Sequence, residues 1–180
     1  MSGMWGNKFK VSIFGESHGV GIGITIDGLP SGFEINMEEV LKEMARRAPG
    51  KSKLSTARKE TDMPEILSGF FEGKTTGTPL CAIIRNSDQH SRDYGKLKDL
   101  MRPGHADYPG FIKYKGFNDY RGGGHFSGRI TAPLVFAGAV CKQILESKGI
   151  KIGAHVSSIG KVKDKSFFDV ELTNELLDTI

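Results

Sequence analysis

Two short stretches of extended chain meet at a chemically loaded turn. Lys8–Phe14 has the composition of a strand, and Val20, Ile22, Ile24 and Ile26 recur at every second position with small residues between them. A period of two places one set of side chains on one face, so residues 20–26 form a half-buried strand that must lie in a sheet with a covered face. The five residues between the stretches are Gly15-Glu16-Ser17-His18-Gly19. A tight connection between strands needs glycine. It does not need an acid, a hydroxyl and an imidazole side by side.

The remaining pattern mixes strands with helices. Leu29-Pro30-Ser31-Gly32 is a turn. Asn36 precedes Met37, Val40, Leu41, Met44 and Ala45 at helical spacing, with Glu39 three residues on, which predicts an N-capped helix ending at Pro49-Gly50. Ile66–Phe71 and Leu80–Ile84 are strand candidates joined by Gly73–Gly77, and Asn86–Leu100 is a polar connection. Thr131 is placed to cap a helix running to about Lys148, stopped by Gly149. Pro133 is tolerable in its first turn. Ile150, Ile152, Ala154 and Val156 alternate again as a strand. At the end, Thr173 reads as a cap and Glu175–Ile180 as the first turns of a helix. An isolated helix so short is marginal, so the chain is expected to be cut within an element. The expected architecture is α+β, a sandwich of β-sheets and α-helices in one domain over residues 1–180, incomplete at its C-terminus.

Charge and cysteine usage narrow the function. The formal charge is +4, and Arg46, Arg47, Lys51, Lys53, Arg58 and Lys59 cluster, which points to an anionic partner. A solvated basic face gives the same pattern. No aromatic interleaving or nucleic-acid motif accompanies it, so no nucleic-acid partner is expected. Cys81 and Cys141 each lie in an apolar run and read as buried core thiols rather than a disulfide or metal pair, which implies a reducing cytoplasm. No signal peptide and no apolar run of the roughly 18 residues needed to span a membrane is visible.

Two further segments carry groups that chemistry could use. In Arg102-Pro103-Gly104-His105-Ala106-Asp107, proline and glycine shape a loop from which Arg102, His105 and Asp107 project. Asp107 is placed to orient His105, and Arg102 to grip a phosphate or carboxylate. A surface turn with a local ion pair is the plainer reading. In Asp119-Tyr120-Arg121-Gly122-Gly123-Gly124-His125-Phe126-Ser127-Gly128-Arg129, three glycines allow backbone to approach a ligand and expose N–H groups to an anion. The helix expected near Thr131 would direct its positive end there. This is neither a dinucleotide-binding GxGxxG nor a Walker loop. A linker would explain the glycines but not the arginines and aromatics beside them.

Taken jointly, Gly15–Gly19, Arg102–Asp107 and Asp119–Gly124 resemble the chorismate synthase family. Thr75-Thr76-Gly77-Thr78 and Asn86-Ser87-Asp88-Gln89 are similar to it as well, and the resemblance runs from about Trp5 to Gly149. It implies a phosphate-lyase of the shikimate pathway, a step of aromatic amino-acid biosynthesis. The reaction is a 1,4-anti elimination of phosphate from 5-enolpyruvylshikimate 3-phosphate, giving chorismate. It uses reduced FMN without net redox change, with NADPH a candidate reductant. The implied catalytic residues are His18, protonating the departing phosphate, and His105, acting at the reduced flavin. Substrate contacts map to Ser17, Arg47, Lys53, Arg102 and Arg129, and flavin contacts to His125, Phe126 and Ser127. No metal site is implied. The position of Lys53 is commonly arginine in the family, and many members have Arg-Ser-Ser at 125–127. Members are usually homotetramers about twice this long. The alternatives are a non-catalytic anion-binding fragment and a basic nucleic-acid-binding module, in which Gly15–Gly19 would have no role.

Overall fold

The computed structural model describes residues 3–48, 62–87, 98 and 100–164. Its centre is a five-stranded antiparallel sheet: β1 (Met4–Gly6), β2 (Lys10–Gly15), β3 (Gly21–Asp27), β4 (Pro64–Ser68) and β7 (Leu80–Arg85). The order across the sheet is β1-β2-β3-β7-β4. β5 (Phe70–Phe71) and β6 (Lys74–Thr75) make a separate two-stranded pair, as do β8 (Ser158–Ile159) and β9 (Val162–Lys163).

The alternation in β3 does what a period of two requires. Ile22, Ile24 and Ile26 are buried and sit opposite Ile84, Ala82 and Leu80 of β7, all buried too. That face shares the core with Val40 and Met44 of α1 (Met37–Arg47) and with Phe136 and Val140 of α3 (Thr131–Glu146). The fold is α+β. By contacts the chain divides into two compact units, Met1–Val140 and Cys141–Ile180, and the candidate site lies wholly in the first.

Local rules explain the elements, including those that depart from expectation. Asn36 caps α1 as expected, its side-chain oxygen accepting from the amides of Glu38 at 3.0 Å and Glu39 at 3.3 Å. The run at 66–71 is not one strand. Its register slips between Ile66 and Ser68, and Gly69, at φ 77°, separates β4 from β5. Thr131 is not a cap but the first residue of α3, its hydroxyl donating back to the Gly128 carbonyl at 2.6 Å. Ser127 caps the short 3-10 turn Gly128–Ile130 that leads into α3, accepting from the Arg129 amide. The strand expected at 150–156 does not form. Ile150, Ile152 and Val156 are exposed, and alternation without a partner strand leaves nothing to bury. Cys81 and Cys141 are free but only half-buried, not core thiols, and burial pushes the Cys141 thiol up. Lys53 and the segment 173–180 lie outside the described residues.

A helix absent from the sequence reading, α2 (Asp107–Tyr114), follows the His105 turn. Pro109 and Gly110 mask its periodicity, but proline is harmless in a first turn. Gly110 is buried where the Phe126 ring comes close, its Cζ 3.1 Å from where a Cβ would lie.

The cap supplies a direct test of α1. Asn36→Ala should cost about 1 kcal/mol, read as a lowered denaturation midpoint with an unchanged m-value. An unchanged midpoint would mean the cap contributes nothing.

Candidate active site

The site is assembled around the turn Arg121–Phe126. Gly122, Gly123 and Gly124 hold φ of 56°, 85° and 53°, a left-handed backbone that side-chain-bearing residues avoid. The geometry is also closed to a side chain. A Cβ on residue 122 would overlap the His18 ring, and one on residue 123 would lie 2.9 Å from Cε1 of His105 and 3.1 Å from an Arg102 guanidinium nitrogen. Two histidines 87 positions apart therefore line adjacent residues of one glycine wall. The turn is braced from behind by Asp119, which binds the Arg121 guanidinium through both oxygens, at 2.7 Å for Nη2. That contact holds the Asp119 carboxyl below its usual range.

His18 sits in the β2–β3 loop and is buried, with Ser17 fully buried behind it. Ser17 Oγ lies 3.0 Å from His18 Nδ1, 3.2 Å from the Gly122 carbonyl and 3.4 Å from the Arg121 carbonyl. A serine hydroxyl has one proton. Carbonyl oxygens can only accept, so that proton goes to the backbone and Oγ accepts from Nδ1–H. The chain His18 Nδ1–H to Ser17 to Gly122 orients the imidazole ring.

His105 lies in the turn before α2. Its Nδ1 is 2.7 Å from an Asp107 oxygen and 3.4 Å from Arg102 Nη2. A guanidinium cannot accept, so the short carboxylate contact decides the arrangement: Nδ1 carries the proton, and the Cε1–Nε2 edge of His105 faces Gly123, whereas His18 meets Gly122 with Cε1 and Nδ1. Asp107 also accepts from Arg102 Nε at 2.8 Å and Nη2 at 2.9 Å. These bonds to Arg102 pull the Asp107 carboxyl from 3.8 to about 2, against its partial burial.

The other expected arginines meet on a carboxylate that the sequence reading did not single out. Asp62 has a fully buried side chain that receives Arg47 Nη1 at 2.6 Å on one oxygen and Arg129 Nη1 on the other. Arg129 is almost wholly buried, and its Nε donates to Asn86 Oδ1 at 3.1 Å. Arg47 also donates to the Gly128 carbonyl at 3.2 Å. Ser17 and Arg129 are thus held inside the protein, while Arg102 keeps 36% of its side chain exposed. Phe126, His125 and Ser127 line a cleft of about 690 Å³ together with Gly3, Met4, Trp5, Ile13 and Ala106. His125 Nδ1 is 3.0 Å from the Gly15 carbonyl, which fixes that ring to the start of the His18 loop. Among the described residues no cluster of three metal-ligating side chains occurs, and no helix is long and apolar enough to cross a membrane.

Fold and site together define an α+β protein in which two histidines pack on one glycine turn beside arginines paired with carboxylates. The profile of the family described as chorismate synthase matches residues 9–179. A chorismate synthase of Azobacteroides pseudotrichonymphae is 51% identical over 171 residues, covering 94% of this chain and 48% of that protein. One from Pyrococcus abyssi is 53% identical over 162 residues, covering 90% and 45%. A solved crystal structure of chorismate synthase superposes with a TM-score of 0.62 at 35% identity, covering 89% of this chain and 42% of that one. The chain belongs to the chorismate synthase family, and it spans about half the length of the curated relatives it matches.

The Asp107 cluster has a pH signature. Its carboxyl is depressed when folded, so the stability it adds is fully present above 3.8 and is lost as pH falls through about 2. Wild-type stability should therefore drop more steeply over that acid window than that of Asp107→Asn. Parallel stability–pH curves would show that the cluster does not form in solution.

Proposed function

We propose that this chain forms the N-terminal part of a chorismate synthase, a phosphate-lyase converting 5-enolpyruvylshikimate 3-phosphate to chorismate in the cytoplasm. The observation that carries the reading is the glycine wall shared by His18 and His105. In a 1,4-anti elimination the C3–O bond breaks and phosphate leaves with the electron pair. A proton leaves C6, and the ring becomes a diene. The departing phosphate needs a general acid, and His18, with Nδ1 engaged by Ser17, offers Nε2 for that proton. Ser17 is assigned to the substrate by resemblance, and from its buried place it also orients the His18 ring.

Arg102, half-exposed and oriented by Asp107, is the described cation best placed to grip a phosphate or carboxylate. Arg47 and Arg129 add positive charge from one side, since two guanidinium groups share the single Asp62 carboxylate. Lys53 is assigned to the same substrate by resemblance. The relatives' name, chorismate synthase, supports this choice of substrate over other phosphorylated acids.

The cleft at His125, Phe126 and Ser127 fits a flavin in kind. Its volume falls in the range of roughly 300–1,000 Å³ usual for ligand sites. It offers the aromatic surfaces of Trp5 and Phe126, with the His125 and Ser127 side chains supplying polar contacts. These residues would hold reduced FMN, which supplies an electron-rich ring to assist the elimination. His105 keeps Nε2 for proton exchange at the Gly123 side, steadied by Asp107. Homotetramer assembly and NADPH as reductant are part of the same proposal. Because large planar ligands are enclosed on most sides and the chain spans 48% of a relative, the 180 residues alone should bind FMN weakly and turn over no substrate.

The test is an anaerobic assay with chemically reduced FMN, on this chain and on a family-length protein carrying it. In the latter, His18→Ala and His105→Ala should each cut turnover about 10²–10⁴-fold with unchanged circular dichroism. Near-normal turnover by either variant would remove that histidine from the mechanism. Full activity of the 180 residues would show that the remaining family length is dispensable.

A further inference from the structure

Asn86 follows the last residue of β7, where that strand runs beside the start of β3 and hence beside the His18 loop. Its amide reaches in both directions. Nδ2 donates to the Glu16 carbonyl at 3.0 Å and to the Gly19 carbonyl at 2.9 Å, the two ends of the segment that carries Ser17 and His18. Its own backbone N–H donates to Val20 at 3.2 Å. Oδ1 accepts from Arg129 Nε, and Arg129 in turn meets the buried Asp62 that holds Arg47. A single carboxamide thus joins the general-acid loop to the paired arginines.

We infer that Asn86 is a positioning residue that clips the His18 loop shut and sets it in register with the Arg47–Asp62–Arg129 cluster. The inference rests on the role proposed for His18. The chemistry requires an amide here. The loop end presents two carbonyls, which need a donor with two protons, while Arg129 needs an acceptor. Only asparagine and glutamine supply both. Asparagine has the shorter reach, and the 2.9–3.1 Å contacts on both sides leave no slack. Asp62, two bonds further on, holds the arginines without touching the loop, so the two ends can be tested apart.

Asn86→Asp separates them. The replacement keeps an acceptor for Arg129 and adds charge to it, yet turns an unprotonated oxygen toward two carbonyls. In the family-length protein kcat should fall about 100-fold, the cost of a misplaced catalytic group, while KM stays within roughly twofold because the substrate-side cation is still held. Amide exchange of a peptide spanning residues 15–20, followed by mass spectrometry in the absence of substrate, should quicken roughly tenfold, the worth of two lost hydrogen bonds. Exchange in β3 and α1 should not change. Asp62→Asn should show the opposite split, with KM raised and exchange at 15–20 unaltered. Asn86→Ser, which removes the three carboxamide contacts without adding charge, carries the same exchange reading if the aspartate variant does not fold. Wild-type kcat and unchanged exchange in Asn86→Asp would overturn the clip. If the wild-type protein itself fails to act on 5-enolpyruvylshikimate 3-phosphate, the functional reading falls, and the exchange arm still decides the role of Asn86.

Discussion

The packing of His18 and His105 against a backbone without side chains is the constraint on which the rest of the site depends. Residues 122 and 123 hold positive φ, and each lies where any Cβ would run into a histidine ring. The conformational term alone disfavours an L-residue there by roughly 1–2 kcal/mol, and the overlap adds to it. The surrounding bonds are arranged to hold this turn in place. Ser17 N–H donates to the Gly124 carbonyl at 3.2 Å, the Asp119 backbone presses on Gly124, and the Asp119–Arg121 pair closes the entry. Because His125 is tied to Gly15 by the next residue of the same turn, the aromatic cleft and the histidine wall are fixed to one another. A displacement of the turn would move both.

The cations of the site are held by carboxylates rather than left in solvent. Arg102 is on Asp107, Arg121 on Asp119, and Arg47 with Arg129 on Asp62. Burying such pairs roughly breaks even in stability, since desolvation offsets the Coulomb gain. Their worth lies elsewhere. A guanidinium already fixed in direction loses little freedom on meeting an anion, and that lost freedom is a main cost of binding. The ratio also matters. Two arginines on one buried carboxylate leave a net positive cluster, whereas a one-to-one pair would be neutral.

Much of this was legible in the sequence, because the informative residues are those whose type conflicts with a merely structural role. The alternation at 20–26 and the cap at Asn36 obey local rules, and the structure follows them. The three motifs could be located for the same reason: Gly15–Gly19 carries more chemistry than a turn requires. What could not be read depends on distant partners. Gly69 looks like an ordinary strand residue until β7 lies against it. α2 hides behind Pro109-Gly110. Residues 150–156 alternate, yet with no neighbouring strand their pattern has nothing to act on. Asp62 and Asn86 carry no local pattern at all. Their roles arise only when α1, the end of β7 and the turn before α3 converge, 43 positions separating Asn86 from Arg129. A negative charge beside a basic run was the one hint for Asp62, and it was indistinguishable from surface charge balance.

The two histidines are supported by different chemistry, and that difference bears on which can act as the acid. Behind His18 stands a neutral hydroxyl that passes its proton to a backbone carbonyl. A ring that gives up a proton from Nε2 while keeping Nδ1–H on Ser17 starts as an imidazolium and ends neutral. That direction is the one the proposed role of His18 requires. Behind His105 stands a carboxylate at 2.7 Å, which can compensate a positive ring if Nε2 takes up a proton. Arg102 shares that carboxylate. An elimination needs one group that lets a proton go toward a leaving phosphate and another that can hold or exchange one at the opposite end of the reaction.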